Sequence, residues 1–184
     1  AAKALGIIGD ERAVESLIKA FKDDSTIWIA ADSLVQIGES SIEPLITALA
    51  DKSDNIRHTV VGTLERLGWV PETDEQRVAY YTITHNWISL VDLRESAVEP
   101  MIKLLESVHW KDVHHLLVRA LGEIGDVRAV EPLIVLITSE QEKMMLKYPS
   151  THGIIEETIK GSAIRTLGEI GDVRAVEPLI GVLS

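Results

Sequence analysis

Cysteine is absent from this chain of 184 residues, and aromatic residues make up only 4% of it. Without a thiol there is no disulfide framework, no thiolate metal site, no cysteine nucleophile and no iron–sulfur cluster. The same absence fits a cytoplasmic location. Positive charge is scarce: 18 Lys and Arg stand against 29 Asp and Glu, a net of −11. That balance disfavours nucleic-acid binding, which draws on basic patches, and favours basic or apolar partners. No run approaches the length of apolar chain that spans a bilayer, so no membrane contact is expected. No charged and then apolar leader opens the chain. It begins without Met, inside a periodic pattern, and so reads as a fragment of something longer. The remaining composition, 46% hydrophobic and 26% charged, is that of a folded domain or a short repeat array.

What the chain does have is internal repetition. The run Leu121-Gly-Glu-Ile-Gly-Asp-Val-Arg-Ala-Val-Glu-Pro-Leu-Ile134 recurs letter for letter at Leu167 to Ile180, an offset of 46. Weaker copies follow Ile8-Gly9-Asp10 (Ala13 to Ile18) and Ile37-Gly38-Glu39 (Ile42 to Ile46), and another lies at Ala97 to Ile102. Their spacing implies a unit of about 30 residues, the signature of a solenoid whose units bury their apolar faces only against neighbours. The 46-residue offset is one such unit with an insertion.

Each unit predicts two helices. Val130, Leu133, Ile134 and Ile137 have the spacing of an amphipathic first helix. Asp126 and Asp172 suit N-caps, and Gly125 and Gly171 suit the left-handed position that ends the preceding helix. Pro132 and Pro178 fall deep for a first turn, which predicts an irregular opening. Second helices are predicted over Ala1–Ile8, Ile27–Ile37, Asn55–Leu67, Lys111–Ile124 and Ile155–Ile170. No strand signal appears.

These L-G-x-I-G-D-x-R-A-V-E-P-L-I runs and their weaker copies resemble the HEAT-like repeat of the phycobilisome (PBS) lyase type. The resemblance implies an all-α, right-handed α-solenoid of about five to six helical hairpins over residues 1–184, truncated at both ends. It implies that the first helix lies on the convex side and that the second lines a concave, partner-binding side. On that template the exposed concave residues are Trp28, Ile29, Asp32, His58, Thr59, Lys111, Asp112, His115, Leu116, Arg119, Thr158, Ser162 and Arg165, with Gly62 and Gly161 among them. The function implied is a scaffold that binds a protein or peptide, without catalysis. The alternative, inherited from the family name, is a tetrapyrrole lyase or chromophore chaperone, with Arg119, Lys160 and Arg165 as partners for bilin propionates and His115 or Trp28 against a ring.

Two stretches depart from the repeat. Residues 68–95 hold four of the eight aromatics, Trp69, Tyr80, Tyr81 and Trp87. They read as a degenerate repeat with a cap at Thr73 and short helices over Gln76–Ile83 and Asn86–Leu93, packed with rings; an aromatic contact patch is the other reading. Residues 139–153 read as an insertion within a repeat.

Catalytic and metal signatures are missing. None of the six histidines forms H-x-x-x-H or H-E-x-x-H, the spacings that place two ligands on one helical face. There is no G-x-S-x-G, P-loop or dinucleotide fingerprint. Glu43, Glu99, Glu131 and Glu177 recur with the period and read as structural. No enzyme activity, cofactor or metal is expected. At the C-terminal end Val176, Leu179, Ile180 and Leu183 would lack a neighbour, which predicts frayed ends or end-to-end self-association.

Overall fold

The structure, a computed structural model, describes residues 1–107, 111–138 and 152–183; of residues 107, 111, 112 and 152–158 it describes the backbone only. The insertion proposed at 139–153 thus lies almost wholly outside the described residues. The described residues are mostly helical, with no strand among them.

The chain divides into two compact units, Ala1–Thr84 and His85–Ser184. The first unit contains α1 (Ala2–Ile8), α2 (Val14–Lys19), α3 (Ile27–Ile37), α4 (Ile42–Ala48), α5 (Asp54–Arg66) and α6 (Asp74–Ile83). Here α1, α3 and α5, the second helices of their repeats, pack in succession as one layer, the second layer, and the first helices α2 and α4 pack on each other in the first layer. Phe21, Leu17, Leu34, Leu45, Leu64 and Ile83 fill its interior. The second unit contains α7 (Trp87–Asp92), α8 (Val98–Ser107), α9 (Lys111–Ile124), α10 (Val130–Thr138), α11 (His152–Ile170) and α12 (Val176–Leu183). The same two layers recur: α7, α9 and α11 in one, α8, α10 and α12 in the other. Leu90, Met101, Leu117, Leu121, Leu133 and Leu167 are its largest buried side chains.

Local chemistry explains these elements. In α3, Ile27, Ala30, Ala31 and Leu34 are all buried, one stripe at helical spacing. Gly9, Gly125 and Gly171 end second helices with φ of 72°, 71° and 71°, a conformation that costs a residue with a Cβ. The irregular opening of the first helices is a short 3₁₀ turn. Val127–Ala129 precedes α10 and Val173–Ala175 precedes α12. The α-helix therefore starts at Val130, and Pro132 falls in its first turn, where no intrahelical N–H bond is lost.

Residues 68–95 hold two short helices, α6 in the first unit and α7 in the second. Thr73 caps α6 in a capping box with Gln76, and Asn86 caps α7 by accepting from the Ser89 amide. The buried side chains are Val78, Thr82, Ile83 and Leu90, while Trp69, Tyr80, Tyr81 and Trp87 are half-buried. Trp69 and Tyr81 both meet the Tyr80 ring edge-on, with centroids 6.2 and 5.6 Å away.

Candidate functional site

The second-layer helices present one solvent-facing stripe each. On α3 it holds Trp28, Ile29 and Asp32; on α5, Asp54, Asn55, His58, Glu65 and Arg66. On α9 it holds His115 and Arg119, and on α11 Gly161 and Arg165. Trp28 is 70% exposed and Ile29 45%, unusual for large apolar side chains in a helix whose other apolar residues are mostly buried.

Two contacts show that neighbouring stripes lie side by side. Within the first unit, Arg66 on α5 donates to Asp32 on α3 at 2.7 Å. Within the second, the Arg119 guanidinium lies 4.0 Å from the centroid of the Trp87 ring, joining α9 to α7. Of the remaining predicted residues, His58 Nε2 is 3.6 Å from Asp54 Oδ1, and Arg165 donates weakly to the half-buried Ser162 hydroxyl at 3.5 Å. Gly62 is half-buried. The side chains of Lys111, Asp112 and Thr158 lie outside the described residues.

Two expectations are corrected. Thr59 is 7% exposed and Leu116 6%, so neither faces solvent. Each follows an exposed histidine by one position, which turns it about 100° around the helix. Thr59 lies in phase with buried Ile56 and Thr63 and donates its hydroxyl to the Asn55 carbonyl at 2.8 Å. Leu116 lies in phase with buried Val113 and Ala120.

A second constellation recurs at the entry of three first helices. Asp10, Asp126 and Asp172 each accept from the amide two residues on, as N-caps do. Each carboxylate also takes a two-pronged grip from the arginine at that position. Arg128 donates Nε at 3.0 Å and Nη2 at 2.6 Å to Asp126; Arg174 donates at 2.9 and 2.8 Å to Asp172. The same guanidinium then reaches the preceding repeat. Arg128 donates to the Glu95 carbonyl at 3.0 Å and lies 3.6 Å from the Glu99 carboxylate. Arg174 donates to the Val127 carbonyl at 3.1 Å and lies 3.5 Å from the Glu131 carboxylate. Two of the four recurring glutamates, Glu99 and Glu131, are thus anchors for the next repeat's arginine. Sequence reading found the caps and the glutamates but missed the arginines, although Asp-x-Arg repeats with the same period.

Electrostatics follow from these contacts. The hydrogen bonds from Arg12 and Arg174 hold the Asp10 and Asp172 carboxyls down at about 2, and Asp126 is lowered by Arg128 in the same way. Tyr80 donates its hydroxyl to Glu65 at 2.7 Å, and this bond to a carboxylate pushes its phenol up to about 12. Among the described residues, no group of three or more His, Asp or Glu side chains is placed to hold a metal ion, and no helix is long and apolar enough to cross a membrane.

Layered helical hairpins joined by a recurrent Asp–Arg–Glu clamp define a helical repeat protein. The family model of the PBS lyase HEAT-like repeat matches residues 1–23, 113–138 and 159–184, so the chain carries repeats of that type. Each matched segment holds one Asp-x-Arg clamp between a second helix and the first helix that follows. No curated protein gives a significant match to the chain.

Proposed function

We propose that the chain is a non-catalytic scaffold that holds a protein or peptide segment against the exposed face of its second-layer helices. The observation that carries this reading is Trp28, a large ring 70% exposed beside Ile29 on a helix whose inner face is packed. Tryptophan has only two side-chain torsions to fix when it is covered, and such residues dominate interface energetics. The flanking surface is polar, with the Asp32–Arg66 ion pair and the His58–Asp54 contact beside it. An apolar side chain of the partner would sit on Trp28 and Ile29, and the net charge of −11 favours a segment with basic flanks.

Selection of peptides from a random display library on the immobilised chain tests this. Selected peptides should be rich in apolar and basic residues and should change the tryptophan fluorescence. Trp28→Ala should weaken them about thirtyfold, the equivalent of about 2 kcal/mol. Peptides that bind a folded Trp28→Ala chain as tightly as the parent would move the binding surface elsewhere. A bilin mixed with the chain should keep its free absorption spectrum; a shift would favour the lyase alternative.

A further inference from the structure

Trp69, Tyr80 and Tyr81 gather where α5 gives way to α6, within the first unit. The way α5 stops places the first of them. Gly68 takes a φ of 74°, its amide reaches the Glu65 carbonyl at 3.0 Å, and the Trp69 amide turns back to the Leu64 carbonyl at 3.0 Å. This double closure holds the Trp69 backbone against the last turn of the helix that carries Glu65. Tyr80 and Tyr81 come from α6, whose inward residues Val78, Thr82 and Ile83 are buried. Tyr80 ties the two helices together by donating its hydroxyl to Glu65 Oε1 at 2.7 Å, and Trp69 and Tyr81 both meet its ring edge-on.

The result is an aromatic cluster with a carboxylate at its edge. All three rings are half-buried, so each keeps part of its surface in solvent, and Glu65 is exposed. Aromatic faces carry negative potential, the carboxylate carries a full charge, and the C-terminal turn of α5 adds the negative pole of its dipole. All three favour a cation. Among the described residues none supplies it. Arg66 is turned to Asp32 at 2.7 Å, Arg77 is turned to Asp74 at 2.9 Å, and Glu65 has no ion-pair partner. In the second unit the same kind of ring is met from within the chain, where the Arg119 guanidinium lies 4.0 Å from the Trp87 centroid.

The geometry points to a binding site for an arginine side chain of a partner protein, its guanidinium laid on the exposed ring surface and donating to Glu65. Arginine fits this arrangement better than lysine. Its planar group can stack on a ring while one edge still offers N–H donors to a carboxylate, and it sheds water more readily than an ammonium. Tyr80 occupies one lone pair of Glu65 Oε1, and among the described residues no donor reaches Oε2, so the carboxylate keeps acceptors for a guanidinium edge. The site is distinct from the surface around Trp28. It uses no residue of α3, and it takes a charged group where Trp28 and Ile29 take an apolar one.

Titration of the whole chain with N-acetylarginine amide, followed by NMR, tests this with a probe that reports the one contact. The Trp69 indole and the Tyr80 and Tyr81 ring signals should shift saturably at millimolar probe, while the Trp28 indole signal stays in place. N-acetylcitrulline amide has nearly the same shape without the charge and should bind about tenfold more weakly or worse. N-acetyllysine amide should bind about threefold more weakly than the arginine probe. Glu65→Gln keeps a carbonyl that can accept from Tyr80, so the cluster should stay folded while affinity falls about tenfold. Tyr81→Leu should lose about threefold, with unchanged circular dichroism. Shifts that do not saturate, a citrulline or lysine probe as tight as the arginine one, or a folded Glu65→Gln chain with the parent's affinity would each overturn the inference.

Discussion

Gly6, Gly122 and Gly168 each stand four residues before a clamp aspartate, yet replacing them with alanine should have three different effects. In a helix interior, Gly→Ala ordinarily stabilises by about 0.5–1 kcal/mol, because glycine loses more backbone freedom on folding. At Gly168 a new Cβ meets nothing within 4 Å, so the full gain is expected. At Gly6 the Cβ would stand 2.7 Å from Ser33 Cα and from Ser33 Cβ. A backbone atom cannot rotate away, so α1 would have to withdraw from α3. Overpacking of this kind costs about 1–3 kcal/mol. Withdrawal would also stretch the bond from the Ser33 hydroxyl to the Ala2 carbonyl, now 3.0 Å. That bond is worth about 1 kcal/mol. The net expectation for Gly6→Ala is destabilisation by about 1–3 kcal/mol. Gly122→Ala should fall between, because its obstacle is the Thr166 hydroxyl at 2.8 Å, the end of a side chain that is itself buried. Urea unfolding followed by far-UV circular dichroism reads the order directly. At a slope of about 2 kcal/mol/M, a change of 2 kcal/mol moves the midpoint by about 1 M. Hydrogen exchange in α1 reports loss confined to that edge. A Gly6→Ala chain as stabilised as Gly168→Ala would refute the close approach of α1 to α3.

Four further outcomes are expected. Leu133→Ala should cost about 2–5 kcal/mol and Leu179→Ala clearly less, because the same residue in the same motif is buried in one repeat and partly uncovered in the other; equal costs in urea unfolding would refute it. The carboxyls of Asp10 and Asp172 sit at about 2 against an ordinary 3.8, so the clamps' contribution is full above about pH 4 and is lost as the pH falls towards 2. The urea midpoint should fall across that window, less steeply in Asp172→Asn, and a flat profile would count against the clamp. Tyr80 should ionise only near pH 12, and Glu65→Gln should bring it back towards 10, seen in tyrosinate absorbance by difference from Tyr80→Phe. Arg119→Ala should alter Trp87 fluorescence and cost about 0.5–1 kcal/mol, the usual worth of an exposed cation–π pair; an unchanged spectrum would argue against the stacking.

Much of the fold is legible in the sequence because its signals are local. The boundaries of α3 and α9 follow from apolar phase and from the glycines that stop helices, and both match the residues expected. The Asp126 and Asp172 caps, the left-handed Gly125 and Gly171, and the capping box at Thr73 depend on atoms within a few residues of one another. The irregular entry before Pro132 is read from the position of one ring. Less of the candidate site was legible. Trp28, Ile29, Asp32, His58, His115, Arg119 and Arg165 are exposed on second-layer helices, whereas Thr59 and Leu116 turn inward. A template assigns neighbouring positions to one face, but helix phase separates them by about 100°.

What only the tertiary structure decided concerns partners distant in the chain. Arg128 finds the Glu95 carbonyl 33 residues earlier, and Arg174 finds the Val127 carbonyl 47 residues earlier. Trp87 and Arg119 meet because α7 and α9 share a layer. Val130 and Val176 are the same letter in the same motif, one buried and one exposed, as Gly122 and Gly168 are the same letter, one crowded and one open. Local propensity and periodicity are properties of a residue and its near neighbours, so identical motifs make identical helices. Burial, crowding and charge pairing belong to whatever packs across the repeat, and that is settled only when the next helix is in place.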